Sequence, residues 1–124
     1  MRALAIYKFS SVAVRQVTIE RSGFWSLLMT YSDQIAVDGV IIRANVGGHG
    51  PSSDGIAIDS SRNVLVENCD SDCNDDNICL KSGRDADGLR GHPSRGNRVA
   101  SGVAGDELAR PGGLSPHFFS LVQV

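Results

Sequence analysis

The chain has 124 residues and a formal net charge of −2 at pH 7, with 41% hydrophobic and 21% charged residues. That length allows at most one domain, and no stretch is long and apolar enough to span a membrane. Residues 1–53 carry five basic and three acidic groups, residues 54–88 three and nine, and residues 89–124 four and two; the negative centre excludes a nucleic-acid groove, which needs a basic surface.

The opening Met1-Arg-Ala-Leu-Ala-Ile-Tyr-Lys8 has an apolar run too short to read as a secretory signal. The next segment, Val12-Ala-Val14-Arg-Gln-Val17-Thr-Ile19, recurs 23 residues later as Ile35-Ala-Val37-Asp-Gly-Val40-Ile-Ile42, and a further 29 on as Val64-Leu-Val66-Glu-Asn-Cys69-Asp-Ser71. In each copy the apolar positions alternate, break for two residues and resume, which predicts strand, bend and strand. No helix caps frame these segments. Repeats in the twenties with short β-branched runs predict the stacked coils of a solenoid, with Val14, Val37 and Val66 in one internal ladder.

Between the first two copies, Phe24 and Trp25 either offer an aromatic face to a sugar ring or fill the interior or an edge of the solenoid. Residues 44–53 form a Gly-rich loop. It is not a P-loop, since no Gly-Lys-Ser/Thr follows its glycines. It is not a nucleophile elbow, since Gly-x-Ser-x-Gly spacing is absent. His49 reads as a surface histidine.

The chemistry concentrates in residues 54–88. Asp54-Gly-Ile-Ala-Ile-Asp-Ser60 returns at an offset of 22 as Asp76-Asn-Ile-Cys-Leu-Lys-Ser82. Equivalent residues of successive coils sit roughly 4.8 Å apart, so Asp54 is expected over Asp76, with Asp75 beside them. Like charges in register destabilise a sheet, and carboxylates in mutual reach oppose one another's ionisation. That is the condition under which one carboxyl can act as general acid and another as base; the alternative is a solvated acidic turn. For Gly55 to follow Asp54 without burying it beside Ile56, the chain must bend there. The series Asp70-x-Asp72-x-Asn74-x-Asp76 imitates a calcium loop, but Asp75 occupies the required glycine position and Lys81 the required glutamate. Cys69, Cys73 and Cys79 match no zinc spacing and suit a core.

These motifs resemble family 28 of the glycoside hydrolases, the polygalacturonase-like enzymes that cleave pectic chains. Ser52-Ser53-Asp54-Gly55-Ile56 is similar to the family's Asn-Thr-Asp-Gly signature. Asn74-Asp75-Asp76-Asn77-Ile78-Cys79-Leu80-Lys81-Ser82-Gly83 is similar to its Gly-Asp-Asp, strand, Lys-Ser-Gly signature. The resemblance covers about residues 9–90. It implies an all-β, right-handed parallel β-helix of about four coils over residues 1–90, and hydrolysis of a pectic polysaccharide with inversion. It further implies Asp75 as general acid, Asp54 and Asp76 as the pair that activates water, and Trp25, Lys81 and Arg84 as substrate contacts. No metal or organic cofactor is implied, and neither nucleic acid nor membrane is a partner.

The chain departs from the family in two places. Leu28 and Met29 stand where Trp-x-x-His-Pro often ends, and no Arg-x-Lys or Gly-His-Gly follows the acids; Asn97 falls near the expected histidine and His92 comes too early. Residues 89–124 hold six of the fourteen glycines and three of the four prolines, and residues 91–124 read as an irregular, unrelated tail. Without the basic motif, turnover is expected to fall far below that of a full-length relative. The alternative is a non-catalytic carbohydrate-binding or structural β-solenoid piece, and an uncovered sheet edge would favour edge-to-edge self-association.

Overall fold

A computed structural model describes residues 2–47, 49–83, 94–99, 104–105 and 119–122. Among them every regular element is a strand, and all strand pairs are parallel. The first coil is β1 (Leu4–Tyr7), β2 (Ser10–Arg15) and β3 (Thr18–Glu20). The second is β4 (Leu27–Thr30), β5 (Asp33–Asp38) and β6 (Ile41–Arg43), and the third is β7 (Ile56–Asp59), β8 (Arg62–Glu67) and β9 (Asp70–Asp72). A fourth comprises β10 (Ile78–Lys81), β11 (Arg98–Val99) and β12 (Ala104–Gly105), and β13 (Phe119–Val122) returns to the first sheet. The three sheets run β1-β4-β7-β10-β13, β2-β5-β8-β11 and β3-β6-β9-β12. This is a parallel β-helix. Beyond β10, where the sequence loses its alternation, β11 and β12 have two residues each, against six and three in their neighbours β8 and β9.

The internal ladders follow the predicted offsets. Val14 pairs with Val37 and Val37 with Val66, and all three are buried. Leu27, Ile56 and Ile78 form a second ladder, fully buried at each level. Alternation puts every second residue inside, where burial of a branched aliphatic side chain contributes roughly 1.5–3 kcal/mol. The repeat legible in the sequence begins at Val12, whereas the stack itself begins at Leu4–Tyr7; there only Ile6 is buried, so the alternation is weak.

The bends between strands repeat as well. Lys8, Tyr31 and Ser60 follow the ends of β1, β4 and β7 and all have positive φ, at 56°, 50° and 48°. Ser11, Gln34 and Asn63 repeat this at the start of the second sheet, and Gln16, Gly39 and Asn68 at its end. A left-handed residue costs about 1–2 kcal/mol unless it is glycine. Cross-coil hydrogen bonds offset that cost: Ser11 Oγ donates to Gln34 Oε1 (2.9 Å), Asn63 Nδ2 to Asp33 Oδ1 (2.8 Å) and Asn68 Nδ2 to Asp38 Oδ1 (2.9 Å).

Candidate active site

Register delivers the acids to one place. Ile56 pairs with Ile78, and the Gly55 N–H donates to the Asp76 carbonyl at 2.9 Å. Asp54 therefore precedes β7 at the level where Asp76 precedes β10. One carboxylate oxygen from each of Asp54, Asp75 and Asp76 lies within 4.8 Å of the others. Asp75 is fixed from two sides: its Oδ1 accepts from the Asp76 N–H (3.0 Å) and its Oδ2 from Ser52 Oγ (3.2 Å). Ser52 lies on the Gly-rich loop, which Asn74 ties down by donating to the Gly50 carbonyl at 2.6 Å.

The expected bend at Gly55 is present. Ile56 and Ile58 face the core, so Ala57 and Asp59 face out, as do Cys79 and Lys81 one coil on. Strict alternation would send Asp54 inward. Instead its Oδ2 accepts from Lys81 Nζ (2.6 Å) and Cys79 Sγ (3.1 Å), both on the outer face. A Cβ on Gly55 would lie 2.4 Å from Ser71 Oγ and 2.7 Å from the Asn77 carbonyl oxygen, so only glycine allows the backbone this close. Asp54 is 5% exposed, a nearly buried anion held by its ammonium partner.

Trp25 joins the same cluster. It packs over the outer-face residues Leu28, Ala57 and Cys79, and Lys81 Nζ sits 3.9 Å from its ring centroid. Trp25 therefore lies on the outer face and not inside the solenoid. Burial works against the Lys81 ammonium, but the hydrogen bond and charge of Asp54, with Cys79, outweigh it and raise the pKa above its ordinary value. Burial, then the Asp54 charge, raises the Cys79 thiol well above the usual range.

The other candidates lie elsewhere. Arg84, Arg90 and His92 are outside the described residues. Asp70 pairs with Arg43, and Asp72 accepts from Asn45 Nδ2 at 3.3 Å, both on the third sheet, so the calcium-loop series does not converge. Three carboxylate oxygens this close have the spacing of cation ligands, but Asp54 already holds the Lys81 ammonium. Asn97, near the position expected for a histidine, serves the backbone instead. Its Oδ1 accepts from the Val64 N–H and its Nδ2 donates to the Ser61 carbonyl, both at 3.0 Å. The three cysteines are free, buried thiols, Cys69 and Cys73 in the core and Cys79 beneath Trp25 on the outer face.

Sequence reasoning did not single out Arg2, Tyr7 or Asp59. Tyr7, Thr30, Asp59 and Lys81 are successive members of one outward ladder. An offset of 23 between Leu4–Tyr7 and Leu27–Thr30 was the available signal.

The sequence profile described as "Glycosyl hydrolases family 28" matches residues 2–97. A "Probable polygalacturonase" from Vitis vinifera is 32% identical over 80 residues, which are 64% of this chain and 16% of that protein. The chain thus spans about a sixth of the length of this curated relative. No solved structure matches.

Proposed function

We propose a function for a chain that belongs to glycosyl hydrolase family 28: hydrolysis of glycosidic bonds in a pectic, galacturonan-like polysaccharide. The observation that carries this reading is the convergence of Asp54, Asp75 and Asp76 within 4.8 Å on a face that also presents Lys81 and Trp25. In the proposed reaction Asp75 donates its proton to the glycosidic oxygen as the bond to the anomeric carbon breaks. A water held by Asp54 and Asp76 attacks that carbon from the opposite face, and one of these carboxylates takes the water's proton. Lys81 keeps Asp54 in position as an anion, and Trp25 borders the cluster on the side of a neighbouring sugar of the polymer.

The nearest oxygens are closer than the roughly 6.5–9.5 Å separating the carboxyl groups of typical inverting enzymes. Oxygens within 4.8 Å of one another still admit one water hydrogen-bonded to two of them at ordinary distances of roughly 2.7 Å. Stereochemistry is therefore a sharp test. Reducing ends released from polygalacturonate should fall about 10²–10⁴-fold in Asp75→Asn, and proton NMR of the first product should show the inverted anomer. Equal rates in wild type and Asp75→Asn defeat the catalytic reading.

One observation favours a second reading, a carbohydrate-binding module. Asp54 is almost buried and already paired, a state that suits a fixed charge as well as a base. Saturable binding of galacturonate oligomers with no turnover in wild type selects this reading.

A further inference from the structure

The outer face of the first sheet carries a second feature, a groove of about 390 Å³ beside the acids. Its principal side chains are Arg2, Tyr7, Trp25, Leu28, Thr30 and Asp59. The volume falls within the size class of small-molecule clefts, roughly 300–1,000 Å³. It lies on the first three coils, and its residues other than Asp59 come from the half of the chain with excess positive charge.

Its chemistry is specific. The Arg2 guanidinium lies 5.2 Å from the Trp25 ring centroid and 5.4 Å from that of Phe24, and the two rings are 4.8 Å apart. Rings under a guanidinium fix its plane and leave its N–H donors free at the edge, the fork geometry that pairs bidentately with a carboxylate. Among the described residues Arg2 has no ion-pair partner. The opposite end is built for hydroxyl groups. Asp59 Oδ1 accepts from the Gly83 N–H (2.8 Å) and Ser60 Oγ (2.9 Å), which hold the carboxylate in place. Thr30 stands next to Asp59 in the ladder and Tyr7 one coil further on.

A basic end, an aromatic wall and an acceptor-rich end suit a sugar ring bearing both a carboxylate and free hydroxyls. We propose that this groove binds one uronate residue of the polymer away from the bond being cleaved. Arg2 pairs with the sugar carboxylate, Trp25 supports the ring, and Asp59 and Thr30 take its hydroxyls. The inference rests on the pectic-substrate reading for its choice of sugar. It supplies a positive contact from the first coil.

Trp25 is the only tryptophan in the chain, so its fluorescence reports occupancy without turnover. Trigalacturonate and its fully methyl-esterified form are titrated into Asp75→Asn, and into the same variant carrying Arg2→Gln. The expected result is a saturable change in Trp25 emission. Arg2→Gln, a substitution at an exposed position, should weaken trigalacturonate binding about tenfold, the loss of roughly one charge-assisted contact. Affinity for the ester should stay within about twofold. An unresponsive Trp25, or equal effects of Arg2→Gln on acid and ester, overturns the proposal. A Trp25 response with this acid–ester discrimination, in a chain that does not hydrolyse polygalacturonate, keeps the groove and removes the catalytic reading. Hydrolysis with an unresponsive Trp25 does the reverse.

Discussion

Lys81 Nζ donates to Asp54 Oδ2 at 2.6 Å and joins the last residue of β10 to the residue that begins the bend into β7. The two side chains are 20% and 7% exposed, so the pair is largely shielded from water. Asp54 would otherwise be a buried anion beside two further aspartates. The ammonium offsets that repulsion at the level of the stack where it is greatest.

Removing the cation should therefore cost more than a surface ion pair does. Lys81→Met is expected to lower the unfolding free energy by about 1–3 kcal/mol, since it leaves a shielded carboxylate unpaired. Urea unfolding measures this, and Asp54→Asn in the same chain should recover part of the loss. The pH dependence has a definite sign. The folded-state pKa of Lys81 is raised above the ordinary 10.5, so the pair's contribution is complete below that value and is lost as pH rises through the folded pKa. The difference between wild type and Lys81→Met should stay level near neutrality and shrink in strong alkali.

Gly55→Ala tests the bend. The new methyl would meet the Asn77 carbonyl oxygen at 2.7 Å, and backbone in a ladder cannot yield as a side chain tip can. Overpacking of this kind costs about 1–3 kcal/mol. The strain falls between Asp54 and Ile56, so under the proposed function hydrolysis of polygalacturonate should drop by more than the loss of folded chain explains. Unfolding curves and rates measured on the same preparation separate the two effects.

The thiols should be silent in the folded chain. Burial pushes Cys73 up to about 11, raises Cys69, and acts with the Asp54 charge to raise Cys79. Thiolate is the reactive form. At pH 8 a disulfide reagent such as Ellman's should titrate few thiols in buffer and all three in strong urea. Rapid reaction of Cys79 in buffer would mean that the Asp54 cluster is open to solvent.

Much of the fold was legible because a parallel solenoid writes its register into the chain. Each inward position stacks on its equivalent one coil away, so Val14, Val37 and Val66 had to share apolar character and the same place in the alternation. The acids were legible by the same route, since an offset of 22 that pairs Ile56 with Ile78 also sets Asp54 against Asp76. The first coil was harder to see. Of Leu4–Tyr7 only Ile6 is buried, and Ala5 and Tyr7 face the groove, so the strand lacks a strong apolar period.

The parallel stack, its offsets and the level at which three aspartates meet were all written in the chain, because each follows from period and residue type along it. Which way the side chains turn at that level was settled by contacts between coils. Asp54 faces outward because Gly55 lets the backbone press against Asn77 and Ser71, a contact between neighbouring coils that no local pattern encodes. Trp25 lies under both Lys81 and Arg2 because residues far apart in the chain share one outer face. Alternation fixes which residues point outward along a strand, but only packing between coils and the bends that join them settles what each outward residue touches.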